Sequence, residues 1–600
     1  MIKKQNLANI SGTSPLPTKA ESPANPKRLH TLQDPLNRSI ALQTNPQTPF
    51  SSSRSLARFH LQQAQSYLAS GHAQSALIEL KETQILSRSE STEFQQEILP
   101  LLLHTTLETG HLLAQEKDLV NALSAYDLAY TFALQEEPLS TLLLAQICLN
   151  RGLVYQRLSL LDQALVDFNQ AVSHLVTLAS SDTEQISLLA QALRNRGELQ
   201  ESLSQTDAAV KDFAQAIAAQ NELQYPPDLQ ELAVTTRKLA LLYQHQERFL
   251  EAESYFAQSL VYYRELYQKG HTEFLQDLVS TLLNHSQICL KLEKLEAAHA
   301  DCTEALQFLE NGALPAREKQ LLQARAGTAR GLLAWKMGDP DQSRNDFIAS
   351  LYFYQALEAF DLNFIPERIQ LHLHLAHLWL EIEDQASSQA LAHYHLALEE
   401  LQNQSQTSDP ELKMQILLER GNLYREWGQS DATQEDYQRA VEVFHSLTAA
   451  KRTPLLATLA QVHLQWGLLL TETGAAEAAI KQFSQGLQSC KALQPREEVN
   501  PDHLWIQLHY FRGFCLAIEL NQPEVALEDF IQIEKYCPGY ASYDLACLYT
   551  RLGQNEKAIA ALTQHVSSGY RLEKKEIEAD PDLKPLKKLP AWKALLKGAF

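Results

Sequence analysis

Residues 152–171, GLVYQRLSLLDQALVDFNQA, contain the pattern that decides the fold of this 600-residue chain. The pattern places a small residue first, an aromatic or Leu at +3, Ala at +12, an aromatic at +16 and a small residue at +19, here Gly152, Tyr155, Ala164, Phe168 and Ala171. The same offsets recur in copies that begin at Gly197, Ala240 and Gly467, with Gln200, Tyr243 and Leu470 at +3. Self-similarity at a fixed period indicates a repeat architecture.

The small residue that opens each copy is called the anchor here. The anchors are Ala64, Gly110, Gly152, Gly197, Ala240, Ser286, Gly331, Ala376, Gly421, Gly467, Gly513 and Ala546. Successive anchors lie 42 to 46 residues apart, except for a last step of 33. Apolar residues between them follow helical spacing, with Pro, Gly, Asp and Ser at the breaks. We therefore predict an all-α solenoid of about twelve helix–turn–helix units.

The anchor pattern resembles that of the tetratricopeptide repeat (TPR) family, whose unit is a helix–turn–helix of about 34 residues. The likeness extends over residues 57–566, although most units here are about 11 residues longer, as in long-unit bacterial arrays. The resemblance implies a right-handed superhelix that presents a concave groove to another polypeptide.

Two flanking segments complete the expected organisation. Residues 1–56 are rich in Ser, Thr, Pro and Asn, so we expect a disordered, slightly basic tail. Residues 567–600 are expected to cap the open end of the array. Their segment from Glu578 to Trp592 resembles the closing helices of many bacterial TPR arrays and places Leu583, Leu586, Leu589 and Trp592 at intervals of three.

A second recurrence pairs opposite charges. In five units an Arg stands directly before the anchor and an Asp directly before the aromatic of the second helix: Arg151 and Asp167, Arg196 and Asp212, Arg330 and Asp346, Arg420 and Asp436, Arg512 and Asp529. A sixth unit has His285 and Asp301 at these places. Guanidinium and carboxylate match in bidentate geometry, so we predict structural ion pairs within these units. The alternative is that the Arg and the Asp were copied together from a shared ancestral unit and do not touch each other.

Charge and cysteine usage narrow the classes of partner. The tail has seven basic and two acidic residues, so its net charge is +5. The remainder of the chain carries −26, which gives the whole chain its net charge of −21. An acidic body repels phosphate backbones, so we expect no nucleic-acid partner. No run of about 18 apolar residues occurs, so no membrane span is expected. Seven scattered cysteines without a Cys-x-x-Cys pair favour a reducing, cytoplasmic environment.

The sequence offers little for catalysis. Phosphate loops, dinucleotide glycine patterns and nucleophile elbows are absent from it. The sharpest cluster contains His372, His374, His377, His393 and His395, and a metal-dependent enzyme at this cluster is the least favoured hypothesis. We expect no enzyme, no cofactor, no bound metal and no small-molecule substrate.

Candidate partner-binding residues come from positions that line the groove in the family resembled. Basic and amide side chains break its apolar wall at Arg194, Asn195, Arg237 and Lys238, where we expect a partner carboxylate to bind. Further contacts are expected from Trp335, His377, Asn422, Arg425, Tyr510 and Phe514. The alternative is that the apolar wall residues pack on one another and close the groove.

These observations favour a non-catalytic scaffold or adaptor that binds a protein or peptide partner. A peptide- or ligand-gated sensor acting on a separate effector chain is the second hypothesis.

Overall fold

The computed structural model describes residues 52–136, 140–178, 182–222, 228–360, 364–382, 387–403, 409–493, 503–568 and 574–599. Within these ranges the regular structure is helical and no strand occurs, which confirms the all-α prediction. Residues 1–51 of the expected tail lie outside the described residues. The first helix begins at Ser53.

The chain divides into two units, Met1–Ala219 and Gln220–Phe600. The helices of the first unit are α1 Ser53–Ala69, α2 Ala73–Ser87, α3 Thr92–Gln115, α4 Leu119–Ala133, α5 Thr141–Arg157, α6 Leu161–Thr177, α7 Thr183–Ser202 and α8 Thr206–Asn221, whose last residues pass the division. The second unit begins with α9 Leu229–His245, α10 Phe249–Gln268, α11 Leu275–Lys291, α12 Leu295–Asn311, α13 Ala316–Lys336, α14 Pro340–Ala356, α15 Ile365–Ile382 and α16 Ser387–Asn403. It continues with α17 Pro410–Glu426, α18 Ser430–Ser446, α19 Leu456–Glu472, α20 Ala476–Leu493, α21 His503–Phe514, α22 Pro523–Tyr536, α23 Ser542–Arg551, α24 Asn555–Ser567, α25 Lys574–Ala579 and α26 Pro590–Ala599.

Helices α1 to α24 form consecutive pairs, in which the odd-numbered helix is the first and the even-numbered helix the second. Each first helix packs on its own second helix, and each second helix packs on the first helix of the next pair within its unit. This is the arrangement of an α-solenoid, in which each repeat buries its apolar face against its neighbours.

The anchors allow the two helices of a pair to approach closely. A Cβ atom added to Gly152 would lie 2.7 Å from a ring carbon of Phe168, and one added to Gly331 would lie 2.7 Å from the ring of Phe347. Both rings are completely buried. The recurring small residue and the recurring aromatic are therefore two sides of one packing contact.

A left-handed residue ends the first helix of most pairs, seven positions after the anchor. These residues have φ between 59° and 80°: Gly71, Lys117, Ser159, Ser204, Glu247, Glu293, Gly338, Gly428, Gly474 and Gly553. The next N–H then bonds back to the first helix, as in Leu160 to the carbonyl of Tyr155 at 2.9 Å. Such a termination satisfies carbonyls at the end of the helix.

The eleventh pair contains one extra residue. Its anchor Gly513 is followed by the left-handed Asn521 at +8 and by Phe530 at +17, each one position late. A π-helical turn at Cys515–Glu519 follows α21 and absorbs this residue. The ring of Phe530 consequently still meets the anchor, 2.8 Å from where its Cβ would be.

The last helices cover the end of the second unit. Leu583 and Leu586 are fully buried and Trp592 is 3% exposed. These side chains join one apolar cluster with Leu545 of α23 and Leu562 of α24. The segment after the last pair thus removes apolar surface from solvent, as an end cap must.

Candidate functional site

The five Arg–Asp combinations form bidentate contacts between the two helices of a pair. Nε and Nη2 of the arginine donate to the two carboxylate oxygens at 2.6 to 2.9 Å in Arg151–Asp167, Arg196–Asp212, Arg330–Asp346, Arg420–Asp436 and Arg512–Asp529. His285 Nδ1 lies 2.6 Å from Asp301 Oδ2 at the equivalent place. All six carboxylates are buried. These charges connect helices and are not available to a partner.

Four of these arginines also reach a third helix, which the sequence reasoning missed. Nη1 lies 3.0 to 3.2 Å from a polar atom on the second helix of the preceding pair, at Asp127, Asn169, His395 or Ser484. Each acceptor directly follows the aromatic of its helix. The guanidinium therefore links successive pairs, and a polar residue after the aromatic is the sequence signal for this contact.

The basic residues proposed to hold a partner carboxylate already lie beside acids of this chain. Arg194 lies 3.7 Å from Glu198 on α7. Arg237 of α9 lies 3.0 Å from Asp277 of α11. Asn195 is only 5% exposed, and Lys238 is half-buried. The structure thus couples Arg237 to the next first helix, whereas Arg194 and Glu198 share one helix.

Other predicted contact residues connect successive first helices. Trp335 Nε1 donates to Glu381 at 2.5 Å, linking α13 to α15. His377 Nε2 lies 2.9 Å from Glu419, linking α15 to α17. Arg425 Nη1 donates to Gln465 at 2.8 Å, linking α17 to α19. The partners of these residues come from the next repeat, so they could not be read from one unit.

The remaining three predicted residues differ in accessibility. Asn422 accepts a hydrogen bond from the buried Tyr437 hydroxyl at 2.7 Å. Tyr510 packs edge-on against Phe530 with ring centroids 5.7 Å apart, and burial raises the pKa of Tyr510 to about 12. Phe514 remains 39% exposed. Among these three, Phe514 offers the most accessible apolar surface.

The histidine cluster is spread over several different contacts. His372 Nδ1 lies 3.0 Å from His393 Nδ1, His374 stacks on Phe347, and His395 lies 3.0 Å from Arg420 Nη1. Burial, with the neighbouring His393 and Arg368, lowers the pKa of His372 to about 4. Groups of three metal-ligating side chains within the described residues do not include these histidines.

A cavity of about 600 Å³ lies on the first helices α17, α19 and α21. Its polar lining consists of Glu411, Gln415, Glu419, Thr458, Gln461, His503 and Gln507, and Leu418, Ala457 and Leu504 supply apolar surface. Gln415, Gln461 and Gln507 each stand six residues before their anchors, so they repeat at the period of the array. Gln370 of α15 occupies the same position and is exposed. This glutamine ladder (Gln370, Gln415, Gln461 and Gln507) presents amides from four successive first helices.

The electrostatics of this cavity favour a cation. Burial raises the pKa of Glu419, but hydrogen bonds from His377 and Gln415 outweigh burial and lower it overall. Glu419 therefore lines the cavity as a carboxylate, together with the exposed Glu411. Glu419 is already paired with His377 at 2.9 Å, so the exposed Glu411 is the main acid that attracts a basic group here.

A second cavity of about 570 Å³ lies between α16, α17 and α18. Its charged lining includes Arg420 with Asp436 and Arg439 with Glu435, which already form ion pairs at 2.6 and 2.5 Å. These side chains satisfy one another, so the cavity on α17, α19 and α21 is the better candidate site.

Hydropathy of the helices bears on membrane insertion. Among the described residues, none of the helices combines the length and apolar character that crossing a bilayer requires.

Comparisons with known proteins agree on the repeat type. Residues 539–567 match the family model described as tetratricopeptide repeat. Over 57 residues the chain is 42% identical to a chloroplastic protein of Arabidopsis thaliana, a match that covers 10% of this chain and 17% of that protein. The chain thus spans about a sixth of the curated relative it matches.

Two TPR proteins are among the solved structures that the chain resembles. The C-terminal part of a TPR repeat-containing protein from Cytophaga hutchinsonii has a TM-score of 0.34 at 12% identity, covering 49% of this chain and 94% of that one. A tetratricopeptide repeat protein from Parabacteroides merdae has a TM-score of 0.27 at 17% identity, covering 49% and 92%. Scores of this size carry no argument about the activity of the chain.

Proposed function

Because this chain is TPR-like, we propose that it is a non-catalytic scaffold that binds a partner polypeptide on the first helices of its second unit. The glutamine ladder carries this proposal, supported by the cavity beside it. We further propose that the partner contributes an extended segment with Lys or Arg side chains.

The spacing of the ladder suits an extended backbone. Helix α17 also contacts α19, and α19 contacts α21, and packed helices lie about 8–10 Å apart. An extended chain advances about 3.3–3.6 Å per residue, so about three residues span one repeat. Each glutamine amide offers a donor and an acceptor to the peptide groups that pass it. Main-chain hydrogen bonds of this kind supply affinity without strong sequence preference.

Specificity comes from the side chains around the ladder. The exposed Glu411 attracts a basic residue, with Glu419 and its partner His377 beside it, and Leu418 and Leu504 receive an apolar residue. Tyr510 and the exposed Phe514 extend the apolar contact along α21 in this proposal.

The residues Arg194, Asn195, Arg237 and Lys238 remain a second proposed contact area for the same partner. The ion pair of Arg237 with Asp277 supports a smaller role for it, because a partner carboxylate must first displace the internal one. The charge-reversing changes Arg194→Glu and Arg237→Glu measure their contribution.

A peptide selection tests the main proposal. Random peptides displayed on phage are selected against the full chain, and we expect enriched sequences to contain Lys or Arg among apolar residues. Fluorescence anisotropy then compares binding of a selected peptide to the wild type and to the double variant Gln461→Leu/Gln507→Leu. We expect a loss of about tenfold or more, since each lost hydrogen bond contributes about 0.5–1.5 kcal/mol.

Gln438→Leu is the matched control, because Gln438 is exposed on α18 and donates to Glu442 of the same helix at 2.9 Å. Unchanged affinity in the double variant, or an equal loss in the control, would contradict the proposed site. Enrichment of acidic peptides would contradict the proposed charge of the partner.

A further inference from the structure

Helix α11 carries two metal-ligating side chains one turn apart. His285 and Cys289 are four residues apart, and Sγ of Cys289 lies 3.7 Å from Nε2 of His285. Glu253 of α10 adds a carboxylate oxygen, and the three ligand atoms all lie within 4.8 Å of one another. Ligands bound tetrahedrally to one zinc ion at about 2.0–2.3 Å lie about 3.3–3.8 Å from one another, so these atoms need to approach by at most about 1.5 Å on binding.

A second carboxylate fixes the orientation of the imidazole. Asp301 of α12 lies 2.6 Å from Nδ1 of His285, whereas Cys289 Sγ lies 3.9 Å from that nitrogen and 3.7 Å from Nε2. A histidine that ligates zinc through one nitrogen usually donates its other N–H to such a carboxylate. Because Asp301 occupies Nδ1, Nε2 is the nitrogen that remains to ligate a metal, and Cys289 Sγ must turn toward it on binding.

The site occupies a place where other repeats hold an arginine. His285 stands directly before its anchor, at the position of Arg151, Arg196, Arg330, Arg420 and Arg512. Four of those arginines bridge to a polar residue after the aromatic of the preceding second helix, but here that residue is Ala257. Glu253 lies one helical turn before Ala257 on α10. Its carboxylate therefore approaches His285 from four residues earlier than the polar residue does in the other repeats.

The burial of the three ligands and their chemical types indicate which metal ion they would bind. Cys289 is fully buried, and the side chains of His285 and Glu253 are 13% and 23% exposed. One thiolate, one imidazole and one carboxylate suit Zn²⁺ better than the hard cations Ca²⁺ and Mg²⁺. Lys294 Nζ, which lies 2.5 Å from Glu253 Oε1, is the cation that a bound metal must share or displace.

We propose that Glu253, His285 and Cys289 bind one zinc ion, with Asp301 as a positioning residue and solvent in the fourth place. The ion connects α10 and α11 and, through Asp301, α12. It takes the bridging role that the guanidinium has in other repeats. Coordination releases the thiol proton of Cys289 to solvent.

Cobalt titration tests the proposal, because Co²⁺ bound to a thiolate absorbs in the near ultraviolet. The full chain is stripped with a chelator and titrated with Co²⁺, and we expect a band that saturates at one ion per chain and is lost on adding Zn²⁺. The band should be absent in Cys289→Ser. It should persist in Cys148→Ser, which removes an equally buried thiol from α5.

A second group (Cys547, Asp580 and Asp582) also brings three ligand atoms together, so Cys547→Ser is included. We expect this variant to keep the band. Loss of the band in Cys547→Ser but not in Cys289→Ser would overturn the proposal, as would no saturable band in the wild type.

Competition with a chromophoric chelator provides a measurement that does not depend on the thiol. Asp301→Asn should weaken zinc affinity about 10- to 100-fold, as loss of a positioning carboxylate does in other sites. Circular dichroism confirms that each variant is folded. Unchanged zinc affinity in a folded Asp301→Asn variant would contradict the positioning role, and unchanged affinity in a folded His285→Gln variant would overturn the site.

Discussion

The pair of Arg420 and Asp436 gives the sharpest test of how the repeats are held together. Its two side chains are 7% and 2% exposed, which makes it the most buried of the five pairs. The change Asp436→Ala removes the acceptor of two hydrogen bonds, at 2.8 and 2.6 Å, and leaves the guanidinium in place. The contact that remains is to His395 Nδ1 at 3.0 Å, together with the ring of Tyr424 at 5.8 Å.

The expected cost follows from this burial. Breaking a buried ion pair by removing one partner typically costs about 3–5 kcal/mol, because a desolvated charge is left without compensation. The neighbouring pair of Glu435 and Arg439 is the control, since its side chains are 60% and 54% exposed. Exposed pairs four residues apart on a helix contribute about 0.3–0.5 kcal/mol, so Glu435→Ala should have little effect.

Native-state hydrogen exchange measures the loss of stability in individual helices. A local measurement is needed because repeat arrays need not unfold in a two-state transition. In Asp436→Ala, protection of peptides from α17 and α18 should fall by about two to nearly four orders of magnitude, since about 1.4 kcal/mol corresponds to tenfold. Protection in α13 and α14 should change little. The double change Arg420→Met/Asp436→Leu should restore most of the protection, because an apolar pair avoids the desolvation cost. A loss below tenfold in Asp436→Ala, or one equal to that of Glu435→Ala, would refute the reasoning.

Three further predictions concern the turns and the histidines. Ser204→Gly should stabilise the chain by about 0.5–1 kcal/mol in urea unfolding. Ser204 has φ 60°, and the relief of about 1–2 kcal/mol of backbone strain exceeds the conformational entropy that glycine adds to the unfolded chain. A destabilised variant would contradict this prediction. His372 has its pKa lowered from 6.5 to about 4 by burial, His393 and Arg368, so the unfolded chain binds the proton more tightly and stability should fall as the pH drops through this window. Melting temperatures across that range should decline less steeply in His372→Gln, and an equally steep decline would contradict the assignment. Deletion of Ile518 from the π-helical turn should restore the spacing of 16 residues between Gly513 and the following aromatic. The melting temperature should then stay within a few degrees of the wild-type value. A collapse of helicity would show that the turn is required.

The sequence predicted those features of the fold that every repeat carries. The anchor and the aromatic are sixteen residues apart because they meet across one pair, as Gly152 and Phe168 do. Recurrence also made the Arg–Asp combinations visible, since both members lie in one unit. The spacing of 17 residues in the eleventh pair was equally readable, and it marks the π-helical turn.

Contacts between repeats were less accessible to sequence reasoning. Arg237 was proposed to hold a partner carboxylate, but Asp277 lies one repeat further along and 3.0 Å away. His377 of α15 and Glu419 of α17 likewise come from successive repeats and lie 2.9 Å apart. Such pairs depend on the rotation between successive units, which no single unit encodes. The glutamine ladder could have been found by comparing the position six residues before each anchor.

The internal pairing of basic side chains changes what a partner should look like. The sequence suggested that Arg194 and Arg237 attract a carboxylate, and the structure places acids of the chain beside both. On α17, by contrast, Glu411 is exposed beside the cavity and Glu419 lines it, with His377 as its imidazole neighbour. A partner carboxylate would meet competing acids in the first area and repulsion in the second, whereas a lysine or arginine would gain at the cavity. Binding to a lysine-containing selected peptide should therefore weaken in Glu411→Lys and as salt rises, because screening reduces attraction between exposed charges. An affinity that is insensitive to both would place the recognition in the amides alone.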